Sequence, residues 1–198
     1  MVCGWLILGS GTAPAQEKKA EGLPADVVAA WKEAGAEVGW MGPSRRPFGL
    51  LEFTARREEL AASRVVPAFR IYVWREGMLA KLPSPARAFG LDLTHSGMTD
   101  AGLKELAPLK QLASLGLGFT KVTDAGLKEL ASLKQLTYLY LDGTKVTDAG
   151  LKDLEGLKNL SELYLNRTQV TVVGLWDLRK ALPKCTIVSG PRGGWPDQ

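Results

Sequence analysis

Apolar residues in the second half of the chain recur at a fixed interval of 24. Leu103, Leu127, Leu151 and Leu175 form one such column, and Gly102, Gly126, Gly150 and Gly174 form another. The pairs Leu91/Leu93, Leu115/Leu117, Leu139/Leu141 and Leu163/Leu165 keep the same interval. Within a unit the period changes. "LYL" at 139–141 alternates, which predicts a short strand with Leu139 and Leu141 on one side and Tyr140 on the other. "TDAGLKELASLKQL" then spaces Leu127, Leu130 and Leu133 three apart, which predicts a helix with an inward apolar face. The intervening turn returns Val122, Val146 and Val170 to the core, with Met98 in the first unit.

A three-residue strand is not stable alone. Stacked at about 4.8 Å, such strands share a parallel hydrogen-bond ladder. The repetition therefore predicts a stack in which residues 24 apart in sequence become neighbours in space. The third unit, "LTYLYLDGTKVTDAGLKDLEGLKN", carries the core pattern L-x-x-L-x-L-x-x-T. On these residues the chain resembles a leucine-rich repeat over about residues 88–188, and its "VTDAGL" turn is similar to the ribonuclease-inhibitor-like and cysteine-containing kinds found in bacterial proteins. The resemblance implies an α/β solenoid, with short parallel strands on the concave side and helices on the convex side. It also implies an interaction role.

Individual positions carry further expectations. Thr123 is a good N-cap, Asp124 sits in the first turn where the helix dipole favours an anion, and Lys128 follows at the favourable spacing of four. Glycine inside a helix costs about 1 kcal/mol relative to alanine. Its return at 102, 126, 150 and 174 therefore predicts a close backbone approach to the neighbouring unit. Ser96, Thr120, Thr144 and Thr168 occupy the position where an Asn ladder is more usual. A hydroxyl donates one proton only, so this ladder should be weaker and leucine packing should carry more.

The ends of the stack need covering. Upstream, "LPADVVAAWKEAGAEV" reads as a helix with Pro24 in its first turn, Val27, Val28 and Trp31 on one apolar face and Gly35 and Gly39 at its end; it is expected to seal the first sheet edge. "GPSRRP" at 42–47 reads as a solvated loop. Ala68-Phe69-Arg70-Ile71 mirrors Ala88-Phe89-Gly90-Leu91, so residues 68–87 read as a shortened, degenerate unit, and "PFGLLEF" as a further capping strand. The last unit departs from the pattern: Val172 replaces the first-turn Asp and Trp176 replaces the Lys104/Lys128/Lys152 column. Either the tail "SGPRGGWPDQ" or a second chain should cover them. A one-residue slip of register is expected near 185–188, and disorder beyond Gly190. The domain division is thus 1–15 leader, 16–67 N-terminal helix and cap, 68–188 repeats and 189–198 tail.

The leader expectation rests on the apolar run Val2 to Leu8 followed by Ala13-Pro14-Ala15, a small-x-small cleavage pattern, and points to an exported protein. No Lys or Arg precedes that run, which leaves open a start upstream of Met1 and a plain apolar N-terminus. Charge is moderate and mixed, net +4, with no basic half, so an electrostatic grip on nucleic acid is not implied. No apolar run reaches the roughly 18–20 residues that span a bilayer.

Chemistry is sparse. The chain has one histidine, His95, and beyond the leader one cysteine, Cys185. That pair cannot build the common zinc sites. No phosphate-cradling glycine motif occurs, and the aspartates at 100, 124 and 148 are explained by helix starts. No cofactor or metal is expected and no enzyme constellation appears. The outward strand positions are more informative. They supply Gly90, Asp92 and Thr94, then Ser114, Gly116 and Gly118, then Tyr138, Tyr140 and Asp142, then Glu162, Tyr164 and Asn166. Tyr138, Tyr140, Asp142, Glu162, Tyr164 and Asn166 are the candidate site for a protein or peptide partner, because tyrosine combines contact area with a polar tip. Cross-strand packing alone is the competing explanation. The alternative function is a structural, self-assembling envelope-associated protein, using Val172 and Trp176 as a homo-oligomer interface.

Overall fold

Leu115, Leu139 and Leu163 lie directly beside one another on adjoining parallel strands, and the whole sheet is ordered around that register. The computed structural model describes residues 22–43, 51–60 and 65–190. Its chain runs α1 (Ala25–Glu33), β1 (Glu37–Pro43), β2 (Leu51–Thr54), β3 (Val66–Arg70), β4 (Phe89–Asp92), α2 (Asp100–Leu103), β5 (Leu112–Gly116), α3 (Asp124–Leu130), β6 (Tyr138–Tyr140), α4 (Asp148–Leu154), β7 (Glu162–Tyr164), α5 (Val172–Ala181) and β8 (Thr186–Val188). These strands form one sheet in the order β2-β1-β3-β4-β5-β6-β7-β8, parallel from β3 onward. This is the α/β solenoid that the leucine-rich-repeat resemblance implies: parallel strands on one side, helices on the other, and between them a core of Leu91, Leu115, Leu139, Leu163 and their helix partners Leu103, Leu127, Leu151 and Leu175. Each fully buried leucine contributes about 1.5–3 kcal/mol relative to exposure.

The "TDAG" motif proves to be a junction between units. Asp100 Oδ1 accepts from the Thr123 backbone N–H at 2.8 Å and Asp100 Oδ2 from the Thr123 hydroxyl at 2.7 Å. Asp124 does the same to Thr147 at 2.8 and 2.7 Å, and Asp148 to Thr171 at 2.7 and 2.6 Å. The same Thr123 and Thr147 hydroxyls accept from Ala125 and Ala149 N–H as N-caps. A Cβ at Gly126 would meet Asp100 Oδ1 and the Leu103 Cδ1 methyl, so glycine leaves the room through which the preceding unit's carboxylate reaches threonine. The expected close approach is therefore a side chain against a backbone. The column Ser96, Thr120, Thr144, Thr168 differs from expectation. Thr120, Thr144 and Thr168 donate to the Leu117, Leu141 and Leu165 carbonyls of their own units, at 2.6–2.7 Å, and make no lateral hydroxyl ladder.

The amino-terminal end corrects several expectations. α1 stops at Glu33, followed by Gly35 at φ +89°, and Pro24 is its N-cap. Residues 37–43, read from sequence as helix end and loop, form β1. The signal was alternation: Val38 and Trp40 pair with Phe69 and Pro67, while Gly39 and Met41 pair with Ala68 and Val66 on the other face. The first parallel strand is covered by β1, antiparallel to both β2 and β3. α1 instead closes the end of the core, with Trp31 stacked on Phe69 at 4.2 Å and edge-on to Phe89 at 6.2 Å. β3 pairs with β4 as Ala68↔Gly90, Phe69↔Leu91 and Arg70↔Asp92, two residues displaced from the mirror the sequence suggested. At the far end the expected slip is absent: Leu163↔Ile187 and Tyr164↔Val188 hold the interval of 24. The leader, Arg45-Arg46, Phe48 and the tail from Pro191 lie outside the described residues.

The junction makes a double-mutant prediction. Gly126→Ala alone should destabilise the protein by about 1–3 kcal/mol, because the methyl displaces a carboxylate from two hydrogen bonds. In an Asp100→Ala background the same substitution should cost far less, since only the movable Leu103 methyl remains in its way. Urea unfolding of the four proteins measures the coupling, and additive effects would contradict the junction.

Candidate functional site

The concave face is built by alternation. Two columns cross it: Ala68, Gly90, Ser114, Tyr138, Glu162 and Thr186 in one, and Arg70, Asp92, Gly116, Tyr140, Tyr164 and Val188 in the other. The structure thus brings the six predicted residues together. Tyr140 and Tyr164 have ring centroids 5.8 Å apart and tilted by 50°. The Tyr164 hydroxyl donates to Glu162 Oε2 at 2.6 Å. Asp142 accepts from Asn166 N–H at 2.7 Å and from Asn166 Nδ2 at 2.9 Å. These residues do not contribute surface equally. Tyr138 is 1% exposed and Tyr164 2%, and Asp142 is buried, whereas Tyr140, Glu162 and Asn166 are half-buried. Tyrosine packing within the sheet and presentation to solvent are divided between different members of the cluster.

Electrostatics follow from that burial. Burial, reinforced by the charge on Asp142, pushes the Tyr140 phenol well above its ordinary range. Burial and the bond to Glu162 do the same to Tyr164. Burial raises the Asp142 carboxyl, opposed by the two Asn166 donors. The Cys185 thiol, packed against the end of the core, is pushed by burial to about 11 and is a poor nucleophile at neutral pH.

Sequence reasoning missed the neighbouring cleft. A hollow of about 180 Å³ is lined by Met41, Phe53, Arg70, Asp92, Thr94, Gly116 and Tyr140. Arg70 Nε donates to Asp92 Oδ2 at 2.7 Å, and its guanidinium lies 4.2 Å from the Phe53 ring centroid. Burial opposes the charge on Arg70, yet Asp92 and Tyr72 raise its affinity for the proton overall. Asp92 Oδ1 accepts from Thr94 N–H at 3.0 Å, above Gly116, where a Cβ would stand 2.6 Å from that oxygen. The Tyr140 ring lies over Gly118 in the same way. Asp92 was on the outward strand positions read from sequence. Arg70 was not, because the suggested mirror set it beside Gly90 and hid its pairing with Asp92.

On the rim, His95, Phe119, Gly143 and Arg167 repeat at 24 and all hold positive φ, at 60°, 54°, 68° and 56°. His95 is exposed and stacks on Phe119 at 4.7 Å with planes 6° apart. At the carboxyl end Val172 is 82% exposed, Val173 69% and Trp176 61%, with Lys180 Nζ 3.2 Å from the Trp176 ring centroid. Among the described residues no group of three His, Cys, Asp or Glu side chains could hold a metal ion, and no helix is long and apolar enough to cross a membrane.

A family model described as a leucine-rich repeat matches residues 91–107. No curated protein matches the sequence. Similar solved structures include internalin C2 of Listeria monocytogenes, at 26% identity over 56% of this chain and 46% of that one, with a TM-score of 0.43. An internalin F of the same organism matches at 24% identity over 59% and 38%, TM-score 0.42. A leucine-rich-repeat protein of Leptospira interrogans matches at 23% identity over 59% and 34%, TM-score 0.37. The chain spans less than half the length of each of these structures.

Tyr140 and Tyr164 hold their protons more tightly folded than unfolded, so their contribution to stability is complete below the unfolded value near 10 and is lost as pH rises through the folded values. Unfolding free energy should therefore fall as pH is raised above about 10, and Tyr140→Phe should flatten that fall. Urea titrations at stepped alkaline pH test this, and a slope unaltered in the variant would contradict it.

Proposed function

We propose that this chain is a non-catalytic recognition module that binds a protein or peptide through its concave strand face. The observation that carries this reading is the half-open group Tyr140, Glu162 and Asn166, held by the buried Tyr138, Asp142 and Tyr164 and bordered by the Arg70–Asp92 cleft. An amphipathic ring locked over Gly118 offers contact area at little further cost in side-chain entropy. The solenoid fold supports an interaction role, although fold by itself does not determine function. Export, proposed from the leader pattern, would set the partner outside the cytoplasm.

A second reading has its own observation. Val172, Val173 and Trp176 are exposed together on α5, where the other units show Asp, Ala and Lys. They favour a self-assembling scaffold joined at this end of the stack.

Two measurements separate the readings. A photo-crosslinking residue at position 140 should capture a partner from envelope extract that the same residue at Asp153, on the convex side, does not, and Tyr140→Ser should lower capture at least tenfold. Equal capture from both positions would remove the concave-face reading. For the second, Trp176→Lys should convert an oligomer to monomer by mass in solution, and a protein monomeric before and after the substitution removes it.

A further inference from the structure

Charge is distributed unevenly between the two sides of this protein. Among the described residues, the concave-facing strand positions, their continuations and the cleft carry the carboxylates Glu37, Glu52, Asp92, Asp142 and Glu162 against the guanidiniums of Arg70 and, at the rim, Arg167. Glu37 belongs to this face because it pairs across β1 and β3 with Arg70 and accepts from the Tyr72 hydroxyl at 2.7 Å. The hydrogen-bond partners of Asp142 and Glu162, namely Asn166 and Tyr164, are neutral, and the charge of Arg167 acts on Asp142 from the rim. The face thus has a local net charge of −3, whereas the described residues together sum to +1, so those outside the face carry +4. A second, independent feature lies between the carboxylates. Ser114 Oγ, on the same face as Gly116 and fully buried between Gly90 and Tyr138, has no hydrogen-bond partner. It leaves a donor and an acceptor at the floor of the face.

We infer that the concave face takes a basic polypeptide segment, rich in lysine or arginine, laid across the strands between Glu37 and Glu162. This rests on the concave-face reading above and adds the chemistry of the partner. The Arg70–Asp92 cleft has apolar and aromatic walls in Met41, Phe53 and Tyr140, suited to the aliphatic stem of a long side chain whose charged end meets carboxylate. The field of the concave side attracts such a segment while the rest of the molecule repels it, so orientation is selected during approach. At about 0.1 M salt the Debye length is about 10 Å, and a segment on the concave face then senses that face more than the opposing remainder.

The test uses the full chain and two labelled synthetic peptides of equal length, alternating Gly-Lys and alternating Gly-Glu, followed by fluorescence anisotropy at about 0.1 M salt. The Gly-Lys peptide should bind. Glu37→Gln with Glu162→Gln should weaken it at least tenfold, and Asp153→Asn with Asp177→Asn, on the convex helices, should not. Carbodiimide coupling of the Gly-Lys peptide to the unaltered protein, mapped by mass spectrometry, gives a readout that no substitution can disturb, and Glu37 and Glu162 should carry the crosslinks. Equal weakening in both double variants, or crosslinks confined to the helices, overturns the inference. Preference for the Gly-Glu peptide, or failure of both peptides to bind, overturns the inference and leaves concave recognition standing. Concave recognition itself is decided separately, by crosslinking at position 140.

Discussion

The structure depends on a carboxylate that reaches out of one repeat into the next. Asp100, Asp124 and Asp148 each accept two hydrogen bonds from the following unit's threonine, one from its backbone and one from its hydroxyl. Bonds of this kind involve a charged acceptor and contribute about 1.5–3 kcal/mol when shielded, less where solvent reaches them. Their importance lies equally in direction. Leucine packing holds units together without specifying how they are rotated, because burial is non-directional. A bidentate bridge through a gap only glycine leaves open fixes that rotation. The threonine serves two helices at once, since its hydroxyl donates backward to aspartate while accepting from its own helix start.

This arrangement relieves the turn after each strand of a lateral role. Its hydroxyls bond within their own units, and the lateral contacts there are backbone bonds such as Lys121 N–H to the Met98 carbonyl at 2.9 Å. The turn also tolerates strain. His95, Phe119 and Arg167 occupy left-handed backbone that costs non-glycine residues about 1–2 kcal/mol each. Gly143 avoids the cost, and the Phe119 ring fills the space a Cβ would need there. With unit spacing set on the helix side, the concave positions are left to differ from repeat to repeat: Asp92, Gly116 and Tyr140 share one column with no common chemistry.

The regular part of this fold was legible because each unit repeats the same constraint, and a column of leucines or glycines shows itself by arithmetic. The strand and helix positions, the inward valines and the close approach at Gly126 all followed. The cap was not legible for the opposite reason. β1 occurs once, its alternation is interrupted by Gly39 and Gly42, and Gly39, which read as part of the helix end, instead makes room for Phe53. Pairing between β3 and β4 was misread by two residues because Ala-Phe recurs in both, while the actual register brings Phe69 beside Leu91. That error concealed the Arg70–Asp92 pair. The candidate residues were correctly gathered on one face, but their burial was invisible. Alternation tells which side of a sheet a tyrosine takes, not whether neighbours then cover it.

The end of the repeat array completes the physical argument. Each unit offers an aspartate to the next, and the last offers Val172 instead. Asp148 still holds Thr171, so α5 is positioned like its predecessors, but its first turn carries valine where Asp100, Asp124 and Asp148 stand. Backbone pairing nonetheless continues, since Arg167 N–H donates to the Gly190 carbonyl at 3.2 Å, the equivalent of His95 to Gly118 and Phe119 to Asp142. The polar code that sets the angle between units therefore stops one unit before the strand ladder does. An apolar surface of Val172, Val173 and Trp176 is the result. Such a surface accepts contact without prescribing rotation, so whatever meets it is selected by shape and apolar area rather than by direction.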